Sequence, residues 1–195
     1  KISILPGPTL CSTFTTGKKF NNYDVHRTAI SIYLGISNVG NAPASIEKVW
    51  VGYRWHLKPV SLLWLRYSCF WFWLKEPITS MADFQYALGE NIKFYPFLLQ
   101  CSKISPTQTD TYLEIGKSVN GVVYFEQDDS WGGCFPTIRN KTVKLRVAVV
   151  DTFGRKYQKT FLAPSVSLQE AQKYNPSFGA TFATLRKEFN NENNT

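Results

Sequence analysis

Proton transfer and nucleophilic attack in proteins run most often through an oriented histidine, and this chain of 195 residues contains two, His26 and His56. Neither has a recognisable catalytic partner nearby. His56 follows Trp55 at the end of a predicted strand and precedes Lys58, a setting that suits a structural or interfacial role. The tightest acidic group is "FEQDDSWGG", with Glu126, Asp128 and Asp129 ahead of a glycine turn. Three such oxygen donors could hold Ca²⁺, but the spacing is not that of an EF-hand, and a solvated turn between strands is the expectation. No H-E-x-x-H, G-x-S-x-G or phosphate-binding glycine loop occurs. The chain is therefore expected to be no enzyme and to carry neither metal nor cofactor.

Four cysteines, Cys11, Cys69, Cys101 and Cys134, are widely separated and form no C-x-x-C pair, which argues against a zinc knuckle or a redox motif. Mostly free thiols are expected, with a single bridge as the alternative, because a core of this size does not need such staples.

The residue types that stand out could instead make contacts. An excess of 22 Lys and Arg over 14 Asp and Glu gives a net charge of +8, which favours an anionic partner: phospholipid headgroups, an acidic protein or nucleic acid. Lys144, Arg146 and Lys156 are expected on one outer face of a hairpin, with Arg139, Lys141 and Arg155 near its ends, a stripe suited to an anionic surface. No RNP-like, KH or helix-turn-helix pattern accompanies it, so nucleic acid is the weaker reading. The second concentration is "SLLWLRYSCFWFWLKEP", residues 61–77, where Trp64, Tyr67, Phe70, Trp71 and Trp73 surround Arg66, between Lys58 and Lys75. Either these rings complete a core, or part of them stays exposed to meet a protein partner or an anionic membrane surface. Indole and phenol rings suit a membrane interface, and the three basic side chains could snorkel toward phosphates.

The elements that must carry these residues are mostly strands. In "RTAISIYLGISNVGNAP", Ile30, Ile32, Leu34 and Ile36 alternate with Ala29, Ser31, Tyr33 and Gly35, and turn residues follow. "SIEKVWVGYRW" puts Val49, Val51, Tyr53 and Trp55 on one face. "KTVKLRVAVVD" turns Val143, Leu145, Val147 and Val149 inward, with Lys144 and Arg146 outward, and "DTFGRKYQKTFLAP" returns through Gly154 with Tyr157 and Phe161 inward. "KISIL", "NIKFYPFLLQ", "TYLEIGKS" and "NGVVYFEQ" are weaker strand signals. Between the second strand and "NIKFYPFLLQ" lie more than thirty residues, too many for an ordinary connection. Residues 60–75 are of helix length, and in "SMADFQYALG" Ser80 and Asp83 have capping-box-like spacing, so the spacing predicts a two-helix insertion. Ser167 and Glu170 cap a helix near the carboxy terminus, "GATFATLRKEF" predicts one more, and "NNENNT" is a polar tail.

"SNVGNAPASIEKV", "LEIGKSVNGVVYF" and "VAVVDTFGRKY" resemble strands and turns of immunoglobulin-like β-sandwich modules of the bacterial extracellular and adhesion type. The resemblance covers about half the chain in short patterns. It implies a binding, spacing or structural unit, and it carries no catalytic residues. The sequence thus predicts a mainly β protein: an antiparallel immunoglobulin-like sandwich over 1–165 with a helical aromatic insertion at 56–90, then a helical extension and tail over 166–195. The expected role is that of a non-enzymatic binding or structural module of a larger, membrane-tethered protein, its anchor upstream of Lys1. The alternative is a carbohydrate- or nucleic-acid-binding domain that uses aromatic stacking and a basic face.

Overall fold

A computed structural model describes residues 1–78, 84–88, 91–95, 98 and 112–180. Two antiparallel sheets dominate it. The smaller has the order β1-β2-β8, built from β1 (Ile2–Phe20), β2 (Tyr23–Asn38) and β8 (Ser118–Glu126). The larger has the order β11-β10-β3-β4, from β3 (Ala44–Tyr53), β4 (Phe72–Leu74), β10 (Thr142–Asp151) and β11 (Lys156–Pro164), with two short strands attached, β7 (Tyr112–Leu113) on β3 and β9 (Ile138–Arg139) on β10. A separate hairpin pairs β5 (Phe84–Leu88) with β6 (Asn91–Tyr95). The helices are short: α1 (Leu62–Tyr67) and α2 (Leu168–Gln172).

Period-two patterning sets the layers. Ile30, Ile32, Leu34 and Ile36 of β2, Val49, Val51 and Tyr53 of β3, and Val143, Leu145, Val147 and Val149 of β10 are all buried in one apolar core, joined by Val123 and Phe125 of β8. Tyr157 and Phe161 pack on its rim. The inward positions of β2, β3, β10 and β11 agree with the sequence expectation.

Turn chemistry fixes the registers. Phe20 pairs with Tyr23 across Asn21 and Asn22, and Arg139 pairs with Thr142 across Asn140 and Lys141; all four loop residues have positive φ, the conformation of a two-residue hairpin that follows strand twist. Asn38 is fully buried and organises the "NVGNAP" turn: its Nδ2 donates to the carbonyls of Ala42 at 2.8 Å and Leu113 at 3.0 Å, and its Oδ1 accepts from the Gly40 amide at 3.0 Å. Asp151 does the same at the β10–β11 turn, accepting from the amides of Phe153 and Arg155 while Gly154 supplies the positive φ.

A second, smaller apolar cluster lies outside the smaller sheet. Leu10, Ala29, Val122 and Tyr124 are covered there by Ala171 of α2 and by Phe178, whose ring centroid is 5.4 Å from that of Tyr124. Ser167 caps α2 as expected, its Oγ accepting from the Glu170 amide.

The insertion differs from expectation. In place of one helix over 60–75, the chain makes the six-residue α1 and then the strand β4, which pairs with β3 through Tyr53–Phe72, Gly52–Trp73 and Val51–Leu74. Trp and Phe suit a pleated surface, and Phe72 and Leu74 alternate with Trp71 and Trp73, so β pairing overrides helix length here. In place of a second helix in "SMADFQYALG", Phe84–Leu88 is a strand; Ser80, Asp83 and Gly89 lie outside the described residues, as do Cys101 and the expected helix and tail beyond Ala180. "KISIL" proves to be the start of the much longer β1, which passes Pro6 and Pro8 with a register shift between Pro6 and Thr9.

Candidate functional site

The aromatic segment begins at a strained turn. Val60, a β-branched residue, has φ 62°, in the region that favours glycine. Ser61 then opens α1, its Oγ accepting from the Trp64 amide at 3.1 Å and donating to the Lys58 carbonyl at 2.8 Å. No side chain of α1 is buried. Val60, Leu62, Leu63, Leu65 and Phe70 each leave more than half of their surface in solvent, and Trp64 about a third. Large apolar side chains so exposed in one short stretch mark an interaction site more often than ornament. Lys58, Arg66 and Lys75 are exposed around them, Arg66 lying over the Tyr67 ring at 5.4 Å.

The other rings of the segment turn inward and hold α1 in place. Tyr67 and Phe72 pack on Trp55 with centroids at 5.7 and 5.5 Å, and Phe72 also meets Tyr53. Trp71 and Trp73 lie half-buried on the outer face of the larger sheet. Gly52 leaves room for Trp73: a Cβ at Gly52 would come 2.9 Å from its indole. Arg146 stands 4.2 Å and Arg54 5.3 Å from the Trp71 ring, while Lys156 stands 4.3 Å and Lys75 5.4 Å from that of Trp50. Cation and indole attract through the ring quadrupole, so this face is a lattice of basic side chains resting on tryptophans. Trp50 and Trp73 meet edge-on, 63° apart.

The expected contact residues thus separate into two groups, with Tyr67 in neither because its half-buried ring packs on Trp55. Trp64, Arg66 and Phe70, with Lys58, stand at the exposed tip. Trp71, Trp73, Lys75, Arg146 and Lys156 belong to the cation–indole face, with Lys144 on the same outward side of β10. Sequence reasoning missed Arg54 and Trp50, which complete that face; the outward parity of β3 was the signal that could have found them.

The residues first considered for chemistry are placed otherwise. Both histidine rings rest on Phe135, His26 at 4.6 Å and His56 stacked at 5.1 Å. Asp129 binds Arg27 at 2.7 Å and Lys18 at 3.4 Å; burial raises its carboxyl, but these cations outweigh that and hold it below its ordinary value. Glu126 is buried and accepts from the Tyr124 hydroxyl. Among the described residues no three His, Cys, Asp or Glu side chains gather as a metal site. Cys11, Cys69 and Cys134 are free thiols, and burial pushes that of Cys11 up to about 12.

Comparison with known proteins finds no family model and no curated sequence that matches this chain. What fold and surface define together is a mainly β protein of two antiparallel sheets with an exposed apolar tip and a basic, aromatic sheet face.

Proposed function

We propose that the chain is an immunoglobulin-like β-sandwich acting as a non-enzymatic binding module of a larger, membrane-tethered protein, and that residues 60–75 dock it on an anionic membrane surface. The strand order supports the sandwich class: β1-β2-β8 facing β11-β10-β3-β4 corresponds to strands A-B-E facing G-F-C-C′ of such domains. The observation that carries the docking is the tip itself, a helix with no buried side chain that offers Leu62, Leu63 and Leu65 to solvent, followed by the exposed Phe70, with Lys58 and Arg66 exposed in the same stretch. Transfer of one such side chain out of water is worth about 1.5–3 kcal/mol, and each basic residue near an anionic leaflet adds about 1 kcal/mol. Stacking of sugars or bases on the sheet face is the weaker reading, because Trp50 and Trp73 are not coplanar and basic side chains already lie over Trp50 and Trp71.

Vesicle co-sedimentation tests the docking. The chain is expected to pellet with phosphatidylcholine vesicles that contain phosphatidylglycerol, and the Leu62→Ser, Leu65→Ser, Phe70→Ser triple variant to stay in the supernatant with its thermal melt unchanged, since none of the three is buried. A parent chain that ignores such vesicles would turn the reading to an acidic protein partner.

A further inference from the structure

Between α1 and the outer side of the larger sheet lies a cavity of about 630 Å³. Among the described residues its wall carries three cationic side chains, Arg54 just after β3, Arg139 on β9 and Lys144 on β10, and no aspartate or glutamate. Among the described residues none of the three forms an ion pair. Like charges gathered on one wall repel one another, and an anion between them removes that cost. The wall is also held in shape: the Thr142 hydroxyl donates to the Arg139 carbonyl at 2.7 Å across the tight turn at Asn140 and Lys141, and the Thr137 hydroxyl donates to the Trp55 carbonyl at 2.7 Å. Trp55 lines the same cavity, and its indole Nε1–H is buried without an acceptor among the described residues.

The lining also includes Ser68, Thr137 and Thr142, and apolar residues from the tip side, Leu57, Pro59 and Trp64. Trp64 of α1 and the exposed Leu162 of β11 face the cavity beside the side chains proposed to enter the membrane. We propose that this cavity receives the phosphate headgroup of an anionic phospholipid, with Arg54, Arg139 and Lys144 on the phosphate and Trp64 and Leu162 against the glycerol and upper acyl chain. Guanidinium groups match phosphate oxygens with paired N–H donors, and a space of this size holds a headgroup. The inference rests on the membrane-docking reading above and adds a specific lipid site to it.

The test measures affinity for phosphatidylglycerol-containing vesicles in three proteins: the parent chain, Arg139→Gln/Lys144→Gln, and Lys117→Gln/Lys173→Gln, which removes equal charge from exposed sites outside the cavity lining. The cavity variant is expected to bind about tenfold or more weakly, the control within about twofold of the parent, and both to melt as the parent does. Equal losses in the two variants would overturn the lipid site and leave the apolar tip as the docking element. Loss in the Leu62, Leu65, Phe70 variant without loss in the cavity variant would do the same. A parent chain that binds no vesicles, or a tip variant that binds as the parent does, overturns the docking reading and the headgroup site with it. A second arm separates lipid from soluble phosphate: monomeric dihexanoyl phosphatidylglycerol is expected to shift the Trp55 and Trp64 indole N–H resonances at lower concentration than glycerol 3-phosphate. Equal potency of the two would overturn the lipid as occupant.

Discussion

The two sheets treat their outer faces in opposite ways. Outside the smaller sheet, α2 and Phe178 close an apolar cluster over Leu10, Ala29 and Tyr124, and Arg27 of β2 is nearly buried against the Asp129 carboxylate, which the exposed Lys18 also meets. Outside the larger sheet, basic side chains without carboxylate partners among the described residues lie over the rings of Trp50 and Trp71. The first face is a second core. The second keeps its charge available to solvent while the tryptophans hold that charge in position, and it leads directly to the exposed helix α1. A pair of sheets built this way closes one outer face and leaves the other basic and accessible, which is the separation of stability from contact that the proposed docking requires.

If that separation holds, substitutions on the two faces should differ in what they cost. Phe178→Ala empties a fully buried position and is expected to lower stability by about 3–5 kcal/mol in urea denaturation, with vesicle binding retained where the variant stays folded. Asp129→Asn leaves Arg27 buried without its counter-charge and is expected to cost about 1–2 kcal/mol at neutral pH. Because Asp129 in the folded chain titrates below the ordinary carboxyl value of 3.8, this contribution is complete above that value and is lost as pH falls through the lower folded one, so parent and variant should converge only in strong acid. On the other face, Lys156→Gln removes one cation from the Trp50 ring and is expected to cost only about 0.5–1 kcal/mol. A cost at Lys156 as large as at Phe178 would erase the distinction between the faces.

The central strands β2, β3 and β10 could be read from alternation alone, since Ile30 to Ile36, Val49 to Tyr53 and Val143 to Val149 each send every second residue into the core. Three features resisted. β1 continues far beyond "KISIL", the strand signal read in the sequence, because a register shift absorbs Pro6 and Pro8. Helix length misled in the insertion: Phe72 and Leu74 point to the core and Trp73 away from it, a period of two inside a run whose uniform apolarity hides it. Likewise the capping-box spacing before Phe84 is local, and pairing with Asn91–Tyr95 takes precedence. The residues of the proposed contact surface were visible as types and only partly as places. Composition pointed to the aromatic segment, but only the pairing of β4 with β3 separates the exposed Leu62, Leu65 and Phe70 from the tryptophans held on the sheet.

Amide hydrogen exchange on the unmodified chain tests the central claim most directly, because α1 has no buried side chain to protect it in solution. Addition of vesicles containing phosphatidylglycerol is predicted to slow exchange in peptides spanning 60–75, to leave the turns at 39–43 and 152–155 unchanged, and to have no such effect when the vesicles are phosphatidylcholine alone. Unchanged exchange at 60–75, or slowing confined to those turns, would contradict docking through the aromatic tip.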